Sequence, residues 1–104
     1  MLFAQTHIGG LYYLGQGVAQ DYDEALRWYH KAADQGNASA QTDIGWLYEH
    51  GVGVPQDYGE AMNWYRKAAS QGNVSAQVCI AGLYQSGRGV AQDYSEASRI
   101  TARL

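Results

Sequence analysis

The stretch AQTDIGWLYEHGVGVPQDYGEAMNWYRKAASQGNVS, residues 40–75, follows a similar stretch, AQTHIGGLYYLGQGVAQDYDEALRWYHKAADQGNAS, at residues 4–39. The two agree at 24 of 36 positions without a gap. A weaker third copy begins at residue 76 and matches the second at 13 of 29 positions. Self-similarity at a fixed period of roughly 20–50 residues is the signature of a repeat architecture.

Each copy has the pattern of two amphipathic helices, an A helix followed by a B helix. In the second copy the A helix is predicted over about residues 38–50, and its apolar face carries Ala40, Ile44, Leu47 and Tyr48. The B helix is predicted over about residues 58–71, and its apolar face carries Ala61, Trp64, Tyr65, Ala68 and Ala69.

Polar residues and glycines mark the ends of these helices. Asn37 is predicted to cap the start of the A helix, and Gly51 to end it in the left-handed conformation. Asp57 and Glu60 have the spacing of a capping box, with Asp in place of Ser or Thr. The same acidic pair recurs in both other copies, so we interpret it as a structural feature rather than as general acid–base machinery.

Two glycines, Gly9 and Gly45, lie inside the predicted A helices, where glycine costs about 1 kcal/mol relative to alanine. A close approach by a neighbouring helix would offset this cost. We therefore expect an aromatic ring to lie against the bare backbone. The third copy has Ala81 at this position, which is still small.

One such helix pair cannot bury its own apolar face, whereas stacked pairs can. The sequence therefore predicts an all-α protein, an α/α superhelical solenoid of antiparallel helix pairs. We expect residues 1–104 to form a single repeat domain, with copies at about 4–39, 40–75 and 76–104.

The copies diverge at both ends of the chain. Met1-Leu2-Phe3 stands where the second copy has Asn37-Ala38-Ser39, so the first A helix is expected to lack its cap. After Ala97 the third B helix is either a divergent capping helix or part of a longer array. In both cases a single apolar stripe predicts a helix, and it consists of Ala97, Ile100 and Leu104.

The second copy contains the pattern Ile44-Gly45-x-x-Tyr48-x-x-Gly51-x-Gly53-Val54-x-x-Asp57-x-x-x-Ala61-x-x-Trp64-Tyr65-x-Lys67-Ala68-Ala69-x-x-Gly72. This pattern resembles that of the Sel-one-like repeat (SLR) family, relatives of tetratricopeptide repeats. The first copy carries the same residues, and the resemblance covers residues 4 to about 98. It implies a superhelix that serves as a scaffold or adaptor for protein complexes. Bacterial members are similar to signalling, host-interaction or toxin-immunity factors.

The resemblance therefore implies a protein–protein interaction module, with a protein or peptide as its partner, rather than an enzyme. The alternative is an immunity or inhibitor protein that neutralises a cognate toxin or secreted effector enzyme. A more distant alternative is a hydrolase of the family's cysteine-rich branch, which has a disulfide in each repeat. This chain has only Cys79, so we do not carry that activity over.

Composition and motifs exclude several other classes of function. The formal charge is −3 and the Lys and Arg residues form no run, which argues against nucleic acid as a partner. No apolar run approaches the ~18 residues of a membrane span, and the first residues do not resemble a signal peptide. Bacterial cytoplasm and periplasm both stay open. The sequence contains no nucleotide-binding, metalloprotease or hydrolase motif, so we expect no cofactor.

A candidate binding surface emerges from the A-helix positions that differ between the first two copies, which are spaced i, i+3, i+6 and i+7 on one helix face. In solenoids of this kind the A helices are expected to line the concave surface. We call these positions the variable stripe: His7, Gly10, Tyr13 and Leu14; Asp43, Trp46, Glu49 and His50; Cys79, Gly82, Gln85 and Ser86.

Within the variable stripe, Trp46 stands where the flanking copies have Gly10 and Gly82. Tryptophan is among the residue types most enriched at interface hot spots. Trp46 therefore either contacts a partner or fills the space beside the two glycines. A catalytic or metal site built from His7, His50 and Cys79 would need side chains that converge to about 3 Å. Neighbouring helices pack about 8–10 Å apart, so we expect none.

The apolar residues at both ends of this short solenoid predict a tendency to self-associate, since exposed end faces can stack or exchange a terminal helix. We expect the mass measured by light scattering to rise with protein concentration. A strictly monomeric mass at high concentration would contradict this prediction.

Overall fold

The computed structural model describes residues 2–104 and the side chains of residues 4–104. This part of the chain forms six helices, which are α1 (Leu2–Leu14), α2 (Tyr22–Asp34), α3 (Ala38–His50), α4 (Tyr58–Ala69), α5 (Val74–Ser86) and α6 (Tyr94–Ala102). The odd-numbered helices are the A helices and the even-numbered ones the B helices. Each helix packs on the next along the chain, which confirms the predicted all-α solenoid.

The predicted caps form as the sequence indicated. The side chain of Asn37 accepts a hydrogen bond from the Ala40 N–H at 2.8 Å, and α3 begins at the next residue, Ala38. Gly51 ends α3 with φ of 65°, which residues with a Cβ adopt only with strain. These two residues fix the length of the A helix independently of its packing.

The acidic pair forms only half of a capping box. Asp57 accepts a hydrogen bond from the Glu60 N–H at 3.1 Å, as expected. The N–H of Asp57, however, donates to the carbonyl of Tyr48 at 2.9 Å, and so takes its partner from the preceding A helix. The equivalent bond recurs in both other copies. Each cap therefore also ties the start of a B helix to the A helix before it.

Two predicted helix ends differ from the structure. Helix α4 stops at Ala69 rather than near residue 71, because the N–H groups of Gln71 and Asn73 both turn back to the Ala68 carbonyl. At the C-terminus, Ala97 is buried and Ile100 packs on the core, but Leu104 is 49% exposed. The prediction for Leu104 is wrong because α6 ends at Ala102, which turns the last residue away from the apolar stripe. The predicted loss of a cap at Met1-Leu2-Phe3 falls outside the described side chains.

The helices within a pair are held together by a tyrosine ring against a glycine backbone. Tyr65 is fully buried, and a methyl group added to Gly45 would meet its ring carbons at 2.7 Å. Tyr29 and Gly9 form the same contact, at 2.8 Å. The expectation of an aromatic ring against the bare A-helix backbone is confirmed in both full copies.

The core divides into two clusters, one around Ile44 and Tyr29 and the other around Leu83 and Tyr65. Gln41 is the one buried polar residue of the described chain, at 6% exposure. Its side-chain amide donates to the Ala33 carbonyl at 3.2 Å, and its side-chain oxygen accepts from Gln71 at 2.9 Å. These two bonds offset the desolvation of the buried amide, which links successive helix pairs.

Replacing Gly45 by alanine is expected to lower the free energy of unfolding by about 1–3 kcal/mol, because the new methyl group overlaps the Tyr65 ring. Gly82→Ala is the matched control, since Gly82 also lies inside an A helix but has nothing within 4 Å of its Cβ position. The control should gain about 0.5–1 kcal/mol of helix propensity. Urea unfolding of both variants measures the difference, and equal effects would contradict the packing argument.

Candidate functional site

The A helices present the variable stripe on one side of the solenoid, where every member is at least partly accessible to solvent. The exposed members are His7, Leu14, Trp46, His50, Gly82, Gln85 and Ser86. The half-buried members are Gly10, Tyr13, Asp43, Glu49 and Cys79. In α3 the shared residues from Ala40 to Tyr48 are instead buried or half-buried, and Ala40, Ile44 and Leu47 belong to the core.

Three members of the stripe meet at a cavity of about 230 Å³ between α1 and α3. Tyr13, Asp43 and Trp46 line it, together with Tyr29 and Leu47 from the core. The rings of Tyr13 and Trp46 stand perpendicular, with centroids 5.9 Å apart. We call this feature the Asp43 cavity.

Other members of the stripe lie elsewhere. His7 borders a separate depression with Thr6, Asn37 and Ser39. Gln85 borders another, beside helix α6. The members of the variable stripe therefore border several separate depressions rather than one convergent site.

Trp46 combines intramolecular contacts with a free surface. Its ring lies 4.2 Å from the His50 ring, centroid to centroid, and it touches Tyr13 on the other helix. It nevertheless keeps 38% of its surface exposed and belongs to neither core cluster. The side chain is thus held in place by its neighbours while remaining accessible to another molecule.

Asp43 is the electrostatic centre of the cavity. Burial raises the pKa of its carboxyl from the ordinary value of 3.8 to about 6, because desolvation disfavours the charged form. Burial and then the Asp43 charge raise the pKa of the Tyr29 hydroxyl, and the same two causes contribute at Tyr13. Within residues 2–104 no hydrogen bond or ion pair compensates the carboxylate of Asp43.

The corresponding place one repeat later is built differently. We call the region around the Asp43 cavity the first interval and the equivalent region one repeat later the second interval. In the second interval, Tyr13, Tyr29 and Asp43 are replaced by Glu49, Tyr65 and Cys79. The Tyr65 hydroxyl donates a hydrogen bond to Glu49 Oε1 at 2.6 Å. Burial raises the pKa of the Cys79 thiol and so disfavours a reactive thiolate.

The variable stripe does not include Tyr29 and Leu47, although both also line the cavity. Both are identical in the first two copies, so a search for differences between these copies could not select them. The signal in the sequence is the tyrosine repeated at 29 and 65, but its place on the apolar face of the B helix predicts only packing.

In the part of the chain that the structure covers, no three His, Cys, Asp or Glu side chains lie close enough together to hold a metal ion. None of the helices in residues 2–104 has the length and apolar character needed to cross a membrane.

The six helices of the described chain define an α/α solenoid of helix pairs. A model of the Sel1 repeat matches residues 2–37, 38–73 and 75–97, and the chain belongs to the Sel1 repeat family. Sel1 repeat proteins generally mediate protein–protein interactions, and their fold is a non-catalytic scaffold. No functionally curated protein matches the chain.

Two solved structures show the same fold over nearly the whole chain. One is a protective antigen of uropathogenic Escherichia coli strains that displays an SLR fold, with 39% identity over 98% of this chain and a TM-score of 0.93. The other is a Sel1 repeat protein from Oxalobacter formigenes, with 41% identity over 99% of this chain and a TM-score of 0.93. The chain spans 22% and 42% of the lengths of these two proteins, respectively.

The raised pKa of Asp43 predicts a pH-dependent effect of Asp43→Asn. A carboxyl whose pKa rises from 3.8 to about 6 on folding contributes stability below pH 3.8 that is lost as pH rises through about 6. The variant should therefore be more stable than the parent at pH 8, by on the order of 2 kcal/mol, and should lose this advantage at pH 4.

Urea unfolding at both pH values measures this effect. Asp34→Asn is the control, because it removes the same charge from an exposed position at the end of α2. It should change stability by less than about 0.5 kcal/mol. An equal gain for Asp43→Asn at pH 4 and pH 8 would show that desolvation of the charge is not its cause.

Proposed function

We propose that the protein binds a partner protein or peptide through the variable stripe, principally His7, Tyr13, Asp43, Trp46, Glu49, His50 and Gln85. The supporting observation is that each A helix has two faces with different roles. Residues shared by the copies pack the core, whereas residues that differ lie on the accessible face. Packing fixes only the shared set, so the accessible face is free to carry residues that recognise a partner.

The exposed aromatic surface supports this proposal. Trp46 is held by Tyr13 and His50 and still exposes 38% of its surface. A rigid, partly exposed tryptophan loses little conformational entropy when a partner covers it, and truncation of such a residue at an interface typically costs ~2 kcal/mol or more. Its position beside a cavity gives the partner both a ring to cover and a recess to fill.

A protein is favoured over other classes of partner by family and by charge. The general role of Sel1 repeats is protein–protein interaction. The weakly acidic chain, with a formal charge of −3, offers no basic groove for a phosphate backbone. An inhibitor of a secreted enzyme would use the same surface, and a captured enzyme whose activity falls on binding would assign the protein to that narrower class.

Trp46→Ala is expected to remain folded and to lose its partner. Trp28→Ala is the matched control, because Trp28 lies on B helix α2, where its ring faces the Lys31 ammonium group at 4.3 Å rather than the stripe. Thermal unfolding tests the fold. Binding is tested by p-benzoylphenylalanine photo-crosslinking from position 7, on the stripe, and from position 63, on α4, in a lysate of the source organism.

We expect a specific crosslinked protein from position 7 that is absent from position 63, lost in Trp46→Ala and kept in Trp28→Ala. Equal crosslinking in both tryptophan variants would contradict the assignment of the binding face. A Trp46→Ala variant that unfolds at ordinary temperature would show instead that Trp46 stabilises the solenoid. In that case Trp46→Phe, which keeps a ring, tests the binding.

A further inference from the structure

We infer that the Asp43 cavity receives a cationic side chain, lysine or arginine, of the partner protein. This inference rests on the proposed function, since it names what the partner inserts into that surface. The cavity, of about 230 Å³, has aromatic walls from Tyr13, Tyr29 and Trp46, and Asp43 supplies its carboxylate.

The first argument is an unbalanced charge. Asp43 is half-buried, and in the described chain neither a hydrogen bond nor an ion pair balances its carboxylate. The hydroxyl of Tyr29, which is 5% exposed, also makes no hydrogen bond within that part of the chain. No fully buried side-chain oxygen or nitrogen of the described chain lacks a partner, so both groups reach solvent in the cavity. They are therefore free to exchange water for a ligand.

The second argument comes from the internal comparison. One repeat later, the equivalent tyrosine, Tyr65, donates its hydroxyl hydrogen to Glu49 at 2.6 Å. Cys79, which is neutral as a thiol, replaces Asp43 there, and Gly82 replaces Trp46. The same helix geometry therefore satisfies its own polar groups in the second interval and leaves them open in the first. Packing of the repeat does not require an open carboxylate.

The third argument is the distribution of charge along the chain. None of the seven Lys and Arg residues lies in an A helix, whereas α2, α4 and α6 all contain at least one. The A-helix face carries Asp43 and Glu49 instead. A basic segment would complement this face, because a cation is attracted both by the carboxylate and by the faces of the aromatic rings.

An aromatic and acidic lining selects for a cation over other groups. An anion would be repelled by Asp43, and an apolar group would leave the carboxylate desolvated and unpaired. The protein already pairs ammonium groups with rings elsewhere: Lys31 and Lys67 each lie 4.3 Å from a tryptophan centroid on the B helices. In the Asp43 cavity the ring is present without a cation from the chain itself.

Small capped amino acids test the inference directly. The probes are N-acetyl-argininamide and N-acetyl-lysinamide, and the neutral, nearly isosteric N-acetyl-citrullinamide serves as control. The readout is the NMR signal of the Trp46 indole N–H, assigned with Trp46→Phe. We expect saturable shifts with a cationic probe, with a dissociation constant of roughly millimolar, and at least tenfold weaker binding of citrulline. The ratio of the arginine and lysine affinities tells which side chain the cavity prefers.

Two matched variants separate the cavity from the general charge of the protein. Asp43→Asn should weaken binding of the cationic probe at least tenfold, whereas Asp34→Asn should leave its binding unchanged. Binding should strengthen as pH rises through about 6, where Asp43 ionises, and this dependence should vanish in Asp43→Asn. Tyr13 and Tyr29 face the same carboxyl but ionise only at high pH. His50 packs against Trp46, so His50→Gln serves as the control for this histidine. The variant should keep the pH dependence of probe binding.

The outcomes distinguish this inference from the proposed function. If citrulline binds as well as arginine and lysine, if neither cation binds, or if Asp43→Asn binds like the parent, the cationic assignment is overturned. Should Trp46→Ala still lose the crosslinked partner in that case, the proposed binding face stands without it. If cations bind but no partner crosslinks from the stripe, the cavity binds cations, but the proposed function fails and the assignment to a partner's side chain fails with it.

Discussion

The contact between a B-helix tyrosine ring and an A-helix glycine backbone is the constraint on which the rest of the solenoid depends. Tyr65 against Gly45, and Tyr29 against Gly9, bring the two helices of a pair closer than any side chain at the glycine position would allow. The gain from burying a whole aromatic ring exceeds the cost of a glycine inside a helix. The third pair lacks the tyrosine, and there Ala81 takes the place of the glycine.

Close packing on one side of each A helix leaves its other side free to vary. The shared residues, such as Ile44 and Leu47, are fully or almost fully buried, and changing their size would disturb the helix pair. The accessible face has no such restriction. Consequently the two full copies keep the same caps and core, yet one carries Trp46 on its accessible face where the other carries Gly10.

The cavity beside Trp46 shows how such variation can create a site without altering the fold. The two intervals differ at three equivalent positions. The second interval has a hydrogen bond from Tyr65 to Glu49, whereas the first has a carboxylate at Asp43 that the described chain does not compensate. Both arrangements fit the same backbone, so the second interval acts as an internal reference for the first. The difference is chemical rather than architectural.

The sequence by itself determined the repeat, the helix pairs and their caps, because these follow from local rules. Periodic apolar positions, Asn37 and Asp57 at helix starts, and Gly51 at a helix end act within a few residues of chain. It also indicated the A-helix face on which Asp43 lies. Only the tertiary structure brought Tyr29 and Leu47 beside that face and half-buried Asp43 with no partner in the described chain. These properties depend on distances between helices, which no local pattern encodes.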